Sequence, residues 1–144
     1  MIEADIVIKL ASIEDLGALT QVGAALFDHD IKTDMAEEFL KDPRHHLMLA
    51  FAEDNIIGMA SGFHYVHPDK EAELFINEVG VLPSFQNMGI GRKILKALVD
   101  HSKTLGCKRG AWVLTDSGNS AAKKAYEAAG GRLDEGDILM YNFD

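Results

Sequence analysis

Residues 79–93 read VGVLPSFQNMGIGRK, and this stretch decides the fold. A strand pattern precedes it, and apolar residues at helical spacing follow it, so Gly89 and Gly91 lie in a strand–loop–helix connection. Glycines let the backbone approach a ligand closely, and the N–H groups of a helix N-terminus bind anions. Arg92 and Lys93 in the first turn would oppose the helix dipole unless negative charge is bound there. We interpret the loop as a pyrophosphate site, and a tight loop without a ligand is the alternative.

Two better-known glycine loops are excluded by their spacing. The dinucleotide-binding pattern requires a third glycine, but Ile94 stands at that position. The P-loop requires Gly-Lys-Ser/Thr, which this chain lacks.

Outward from the loop, the pattern predicts one α/β domain over residues 1–144 with the element order βααβββαβαβ. The hairpin in the first half is antiparallel, and the strand–helix–strand units in the second half imply parallel pairing with a right-handed crossover, so the sheet is mixed. The predicted strands are residues 6–10, 47–51, 56–65, 74–81, 111–114 and 138–143, and the predicted helices are 12–27, 34–42, a helix from Gly91 to a C-cap at Gly106, and 119–126.

Two motifs together resemble the GNAT superfamily of N-acetyltransferases. The first is Gln86-x-x-Gly89-x-Gly91 after Glu78-Val79-Gly80-Val81, and the second is the helix 119–130 with its Asn119 and Tyr126. The resemblance implies a GNAT-like mixed sheet of about six to seven strands flanked by four helices, with acetyl-CoA in the splay between the fourth and fifth strands. It also implies coenzyme contacts from Val79, Gly80, Val81, Gln86, Asn87, Met88, Gly89, Ile90, Gly91, Arg92, Asn119 and Tyr126.

Within the superfamily, the chain looks most like the small aminoglycoside 3-N-acetyltransferases. The features are Leu26-Phe27 before a polar loop, the strand 75–79, and Val113-Leu114-Thr115-Asp116 before the last helix. This resemblance implies direct acetyl transfer, through a ternary complex, to the 3-amino group of a cationic antibiotic. The implied acceptor-binding residues are Asp28, His29, Asp30, Glu78 and Asp116.

Amine acetylation requires a base, an oxyanion donor and an acid. The resemblance places the backbone N–H of Val79 at the thioester oxygen and Glu78 beside it, where a carboxylate can accept the ammonium proton. Strict alternation puts Glu78 on one face with Leu74 and Ile76, which favours this role over that of a solvent-facing acid. Tyr126 is the candidate acid, with a core tyrosine as the alternative. Asn119 is a coenzyme contact, a helix N-cap, or both.

His29 is a further catalytic candidate because Asp28 and Asp30 flank it in a loop. Neighbouring carboxylates hold a histidine in its charged form, so it is predicted to relay protons or to bind the acceptor, and an exposed loop histidine is the alternative. No histidine spacing fits a zinc site, so no metal is expected. Cys107 is expected to be buried and inert.

Charge is distributed unevenly along the chain. Residues 1–80 hold 16 acidic and 5 basic residues (net −11), and residues 81–144 hold 7 acidic and 9 basic residues (net +2). The first half suits a cation and the second a polyanion, although a merely solubilising surface is the alternative. Nucleic acid is not an expected partner, because the domain lacks a basic face. No membrane partner is expected either, since no apolar run is long enough to span a bilayer.

A cytoplasmic location is expected, because residues 1–5 are acidic where a secretory leader is basic, and a single cysteine suits a reducing compartment. The family commonly forms homodimers, and the sequence gives no independent sign of one. Two other functions stay open: acetylation of a polyamine, an amino acid or a protein lysine, and a non-enzymatic acyl-CoA-binding sensor.

Overall fold

A mixed five-stranded sheet is the frame of the protein in the computed structural model, which describes residues 5–144. The first four residues, on which the expectation about a leader partly rests, lie outside the described residues. The strands stand in the order β1-β2-β3-β4-β5, antiparallel except for the parallel pair β4 and β5. They are β1 (Ile6–Leu10), β2 (His45–Ala52), β3 (Asn55–Tyr65), β4 (Glu73–Val81) and β5 (Ala111–Val113).

Four α-helices accompany the sheet, as expected: α1 (Leu16–Leu19), α2 (Thr33–Lys41), α3 (Ile90–Thr104) and α4 (Ser120–Ala128). The expectation of one continuous first helix to Phe27 is wrong. The capping box at Ser12 and Asp15 forms, but the segment splits into 3₁₀ turns at Ile13–Asp15 and Gly23–Ala25 around the short α1. Gly23 adopts φ +61°, which no α-helix accommodates, and Asp30 accepts the Ala24 N–H there.

The predicted C-terminal strand is also wrong. Residues 131–144 form neither helix nor strand, so within the described chain the sheet has five strands rather than six to seven. The apolar side chains of this stretch are nonetheless present and exposed, and they include Ile138, Met140 and Phe143. A strand is formed by pairing, and β5 presents only a three-residue edge. The pattern of residues 138–143 is typical of a strand, but the short edge of β5 does not pair with it.

The core lies on both faces of the sheet. On one face, α3 buries Ile94, Leu95 and Leu98 against Ala60 and Leu74 of the sheet. The other face packs Leu49 and Met59 beneath Leu19 and Leu26, which come from α1 and the loop after it. Cys107 is 2% exposed beside α3, and burial raises the pKa of its thiol, as expected for an inert cysteine.

No helix among residues 5–144 is long and apolar enough to cross a membrane. In the same residues, no three His, Cys, Asp or Glu side chains are grouped so that they could hold a metal ion.

A cluster of histidines joins β2, β3 and α3. His46 is 6% exposed, bonds His64 with 2.7 Å between Nε2 and Nδ1, and has its ring 5.4 Å from that of His101. Burial first, and then the neighbouring imidazoles, lower the pKa of His46 to about 4. The unfolded chain therefore binds more protons than the folded one between about pH 6.5 and 4, so stability is full above this window and falls as the pH drops through it.

We expect the free energy of unfolding to fall by on the order of 2–3 kcal/mol from pH 7 to 4.5 through this group. In His46→Gln the fall should be smaller, as measured by urea unfolding at both pH values. His29→Gln, at an exposed site, is the matched control. Equal acid sensitivity in the wild type and His46→Gln would contradict the assignment.

Candidate active site

The glycine loop connects β4 to α3 and contains two residues with positive φ. Gly89 is the residue before α3 and has φ +77°, and Asn87 also has a positive φ of 64°. The first turn of α3 presents N–H groups that have no partner within the helix. Gly91 would carry a Cβ 3.7 Å from Val81, so the loop lies directly against the end of β4. These features fit a pyrophosphate.

Other residues of the loop divide between core and surface. Ile90 is buried, so only its backbone can reach a ligand, whereas the side chains of Gln86, Asn87, Met88 and Arg92 are exposed. Gln86 donates from Nε2 to the Val81 carbonyl oxygen over 3.0 Å. This bond fixes the start of the loop against the edge of β4.

β4 and β5 pair over only three residues and then diverge. The last pair joins Ile76 to Val113, and the rest of β4 runs on beside an open edge. Leu82 donates its N–H to Ile57 on β3, and N–H groups alternate in direction along a strand. The N–H groups of Val79 and Val81 therefore point away from β3 into this opening. The expected role of the Val79 N–H matches this direction.

A β-bulge at Asn77 decides where Glu78 points. On β3, the neighbours Ser61 and Gly62 pair with Glu78 and Ile76, so Asn77 is the extra residue. Ile76 and Val79 consequently both pack on the α3 side. The expectation that Glu78 shares a face with Leu74 and Ile76 is wrong, because the bulge resets the alternation. Glu78 lies instead on the opposite face, with Phe75.

The electrostatic surroundings of Glu78 suit a base. The side chain is half-buried, and burial raises the pKa of its carboxyl above the usual range. The Asp28 carboxylate raises this pKa further, and His29 lowers it. The loop after Gly23–Ala25 therefore brings Asp28 and His29 to Glu78, three residues that the sequence analysis placed in one site.

The remaining sequence-predicted residues lie on α4, in the segment after β5 and in the loop after Gly23–Ala25. Asn119 caps α4, with its side-chain oxygen accepting the Ala122 N–H at 3.1 Å. Tyr126 packs on the α3-side core, and burial raises the pKa of its phenol. Asp116 is exposed three residues beyond β5, at the same end of the sheet as Glu78. Asp30 is exposed, and its carboxylate is engaged by the Ala24 N–H.

One feature of the site was missed by the sequence analysis. Trp112 of β5 packs beside Phe75 with 4.6 Å between the ring centroids, and Phe75 in turn contacts Phe63. These aromatic side chains lie on the Glu78 face of the sheet. The signal was available in part, because both Phe75 and Trp112 fall in predicted strands, but only the register of the β4–β5 pair makes them neighbours.

Comparisons with known proteins identify relatives of this arrangement. Residues 15–130 match the model of the acetyltransferase (GNAT) family. The mycothiol acetyltransferase of Saccharopolyspora erythraea is 30% identical over 105 residues, which is 72% of this chain. The chain spans about a third (32%) of the length of that curated relative.

Solved structures share the fold. An aminoglycoside acetyltransferase, meta-AAC0020 from an uncultured soil metagenomic sample, was solved in complex with sisomicin; it has a TM-score of 0.83 and 17% identity, covering 96% of this chain and 95% of that one. The aminoglycoside N-acetyltransferase AAC(6′)-Iy in complex with CoA has a TM-score of 0.81 and 20% identity, covering 97% and 96%. A ribosomal-protein-alanine N-acetyltransferase from Brucella melitensis has a TM-score of 0.77 and 15% identity, covering 96% and 100%.

Proposed function

This chain belongs to the acetyltransferase (GNAT) family, and from that premise we propose that it moves an acetyl group from acetyl-CoA to an amine of a small cationic molecule. The observation that carries the proposal is the meeting of two groups at the β4 opening: the N–H of Val79 points into the opening, and Glu78 stands on the adjoining face beside Asp28 and His29. Nothing in this arrangement requires a metal.

The coenzyme would be held by the loop and the open edge of β4. The first-turn N–H groups of α3 and the charge of Arg92 suit its pyrophosphate, and Gly89 and Gly91 admit it close to the backbone. When bound, acetyl-CoA supplies the thioester carbonyl that the amine attacks.

Each residue then has a separate task. Glu78 takes the proton that an ammonium acceptor must lose, and its raised pKa makes it a stronger base than an ordinary carboxylate. The Val79 N–H donates to the carbonyl oxygen as negative charge develops there. The phenol of Tyr126 is protonated at neutral pH, as a tyrosine with an ordinary or a raised pKa is, so it can donate to the departing sulfur.

An aminoglycoside is the acceptor that we propose first. Glu78 and the carboxylates of Asp28, Asp30 and Asp116 offer several partners for ammonium groups, and meta-AAC0020, which shares the fold, was solved with sisomicin. The sequence analysis predicted the 3-amino group as the acetylated position. The solved neighbour AAC(6′)-Iy is named for the 6′ position, so both amines belong in the test.

Thiol release from acetyl-CoA tests the proposal, with sisomicin, spermidine and a lysine peptide as acceptors. Turnover of sisomicin at low KM would support it, and mass-spectrometric fragmentation of the product would assign the amine. If only spermidine or the peptide is acetylated, acetyl transfer to an amine is supported and the aminoglycoside is rejected as the acceptor. Coenzyme binding without any turnover would favour an acyl-CoA sensor.

Tyr126→Phe is expected to lower kcat about tenfold or more, with little change in the Kd for acetyl-CoA, because only the proton donor is removed. Steady-state kinetics and calorimetric binding give the two values. Tyr141→Phe, at an exposed tyrosine in the C-terminal segment, is the control. An unchanged kcat in Tyr126→Phe would remove the acid role.

A further inference from the structure

Trp112 is an exposed aromatic side chain that is nevertheless held in place. It is the only tryptophan of the chain and 43% of it is exposed. Its indole N–H donates to the Tyr65 hydroxyl oxygen over 2.9 Å, and that hydroxyl donates to Glu73 over 2.6 Å. An exposed side chain is normally free to change rotamer, whereas these hydrogen bonds hold the Trp112 indole in one orientation.

The anchor of this chain is the Glu73 carboxylate. Besides Tyr65, it meets His67 Nε2 at 2.9 Å and Arg109 Nε at 3.3 Å. These donors, Tyr65 first, lower the pKa of Glu73 to about 2, so its carboxylate is ionised at neutral pH. Side chains from β3, from the loop after it and from the loop before β5 thus converge on one charge.

The position of the indole relates it to the reaction. Trp112 pairs with Phe75 in the β4–β5 register, one pair before the strands diverge. Phe75 and Glu78 lie on the same face of β4, with their Cα atoms at most about 10 Å apart, given about 3.3 Å per strand residue. A two-ring amine can span that distance. Its reacting nitrogen would then be at Glu78 and its other ring over the indole.

We propose that Trp112, with Phe75 beside it, is the acceptor subsite for the ammonium-bearing ring that does not react. This inference rests on the proposed function. A fixed aromatic ring binds with little loss of side-chain entropy, and its face attracts both cations and the C–H face of a sugar ring. Tyr65 and Glu73 are positioning residues, which act only by holding the indole.

Steady-state kinetics of Trp112→Ala, Trp112→Phe and Tyr65→Phe with sisomicin test the proposal. For Trp112→Ala we expect a rise of about tenfold in the KM for sisomicin, with kcat and the KM for acetyl-CoA within about twofold. Trp112→Phe keeps an aromatic ring, so its KM for sisomicin should lie close to the wild-type value. Tyr65→Phe should raise this KM less than Trp112→Ala does, because the Trp112 indole remains but loses its hydrogen-bond acceptor. Val7→Ala, an exposed apolar side chain on β1 at the other edge of the sheet, is the control.

Fluorescence provides a readout that does not depend on turnover, because all tryptophan emission comes from Trp112. Sisomicin or spermidine should quench the emission of the CoA complex saturably, and Tyr65→Phe should shift that emission even without an amine. If neither sisomicin nor spermidine is acetylated, the proposed function is contradicted. Quenching of the Trp112 emission still tests whether these amines bind at Trp112. Unchanged emission, an equal rise in both KM values, or a change in oligomeric state with an unchanged KM for sisomicin would each overturn the proposal.

Discussion

Glu78→Gln is expected to lower kcat by about 10²–10³-fold, because general base catalysis contributes roughly 10²–10⁴-fold and the amide cannot accept the proton. The substitution keeps the size and the position of the side chain. Glu71→Gln, at an exposed acid that precedes β4, is the matched control and should retain full activity. The Kd for acetyl-CoA should be unchanged in both variants, which separates the loss of the base from a loss of coenzyme binding.

The pH profile gives a second test of Glu78. Burial and Asp28 raise the pKa of its carboxyl, and the base must be ionised, so kcat/KM should rise with pH through a pKa above the ordinary value of a glutamate. Asp28→Asn removes a neighbouring negative charge and should move this inflection to lower pH. A Glu78→Gln enzyme that keeps the wild-type kcat and profile would assign the base elsewhere, with His29 the next candidate.

Gly89→Val is expected to weaken acetyl-CoA binding by at least about tenfold. A Cβ at Gly89 would meet nothing within 4 Å, so crowding is not the reason. The reason is φ +77°, which a β-branched residue adopts only with strain, so that the loop must open and its N–H groups turn away. Isothermal titration calorimetry with CoA measures the effect.

Two control variants separate binding from stability. Gly89→Asn should bind CoA nearly as well as the wild type, since asparagine tolerates a positive φ. Gly106→Val changes a glycine just beyond the other end of α3, with φ +84° and the same open surroundings. It should lose similar stability and retain CoA binding. Equal binding by Gly89→Val and wild type would defeat the assignment of the loop.

Local patterns predicted most of the fold. The glycine loop, the β2–β3 hairpin and the two C-terminal helices follow from short-range signals, namely glycines with a required backbone conformation and apolar residues at a fixed period. The prediction of one continuous first helix was wrong because the positive φ of Gly23 interrupts it. The hydrogen bond that Asp30 accepts from the Ala24 N–H supports this conformation. The last strand failed because pairing depends on a partner edge, which the sequence of the strand itself does not describe.

The sequence predicted which residues belong to the candidate site better than it predicted how they are arranged. Glu78, Asp28 and His29 were expected together, and the structure brings them together. The face of Glu78 was not predictable, because a bulge looks like any other residue in the sequence. The bonds from Trp112 to Tyr65 and from Arg109 to Glu73 span 47 and 36 positions along the chain, far beyond the reach of a local pattern.

The extra residue in β4 shifts the alternation of the strand by one position. Before Asn77, side chains and N–H groups alternate in one phase; after it, they alternate in the other, and this second phase sends Glu78 to the acceptor side and the N–H of Val79 to the coenzyme side. Deleting Asn77 would restore an unbroken alternation and leave Glu78 and the N–H of Val79 on the sides that they have now. A relative with a strand of the same length but without the bulge would carry an acid of this face one position earlier, so an alignment made by position alone would compare residues on opposite faces of the sheet.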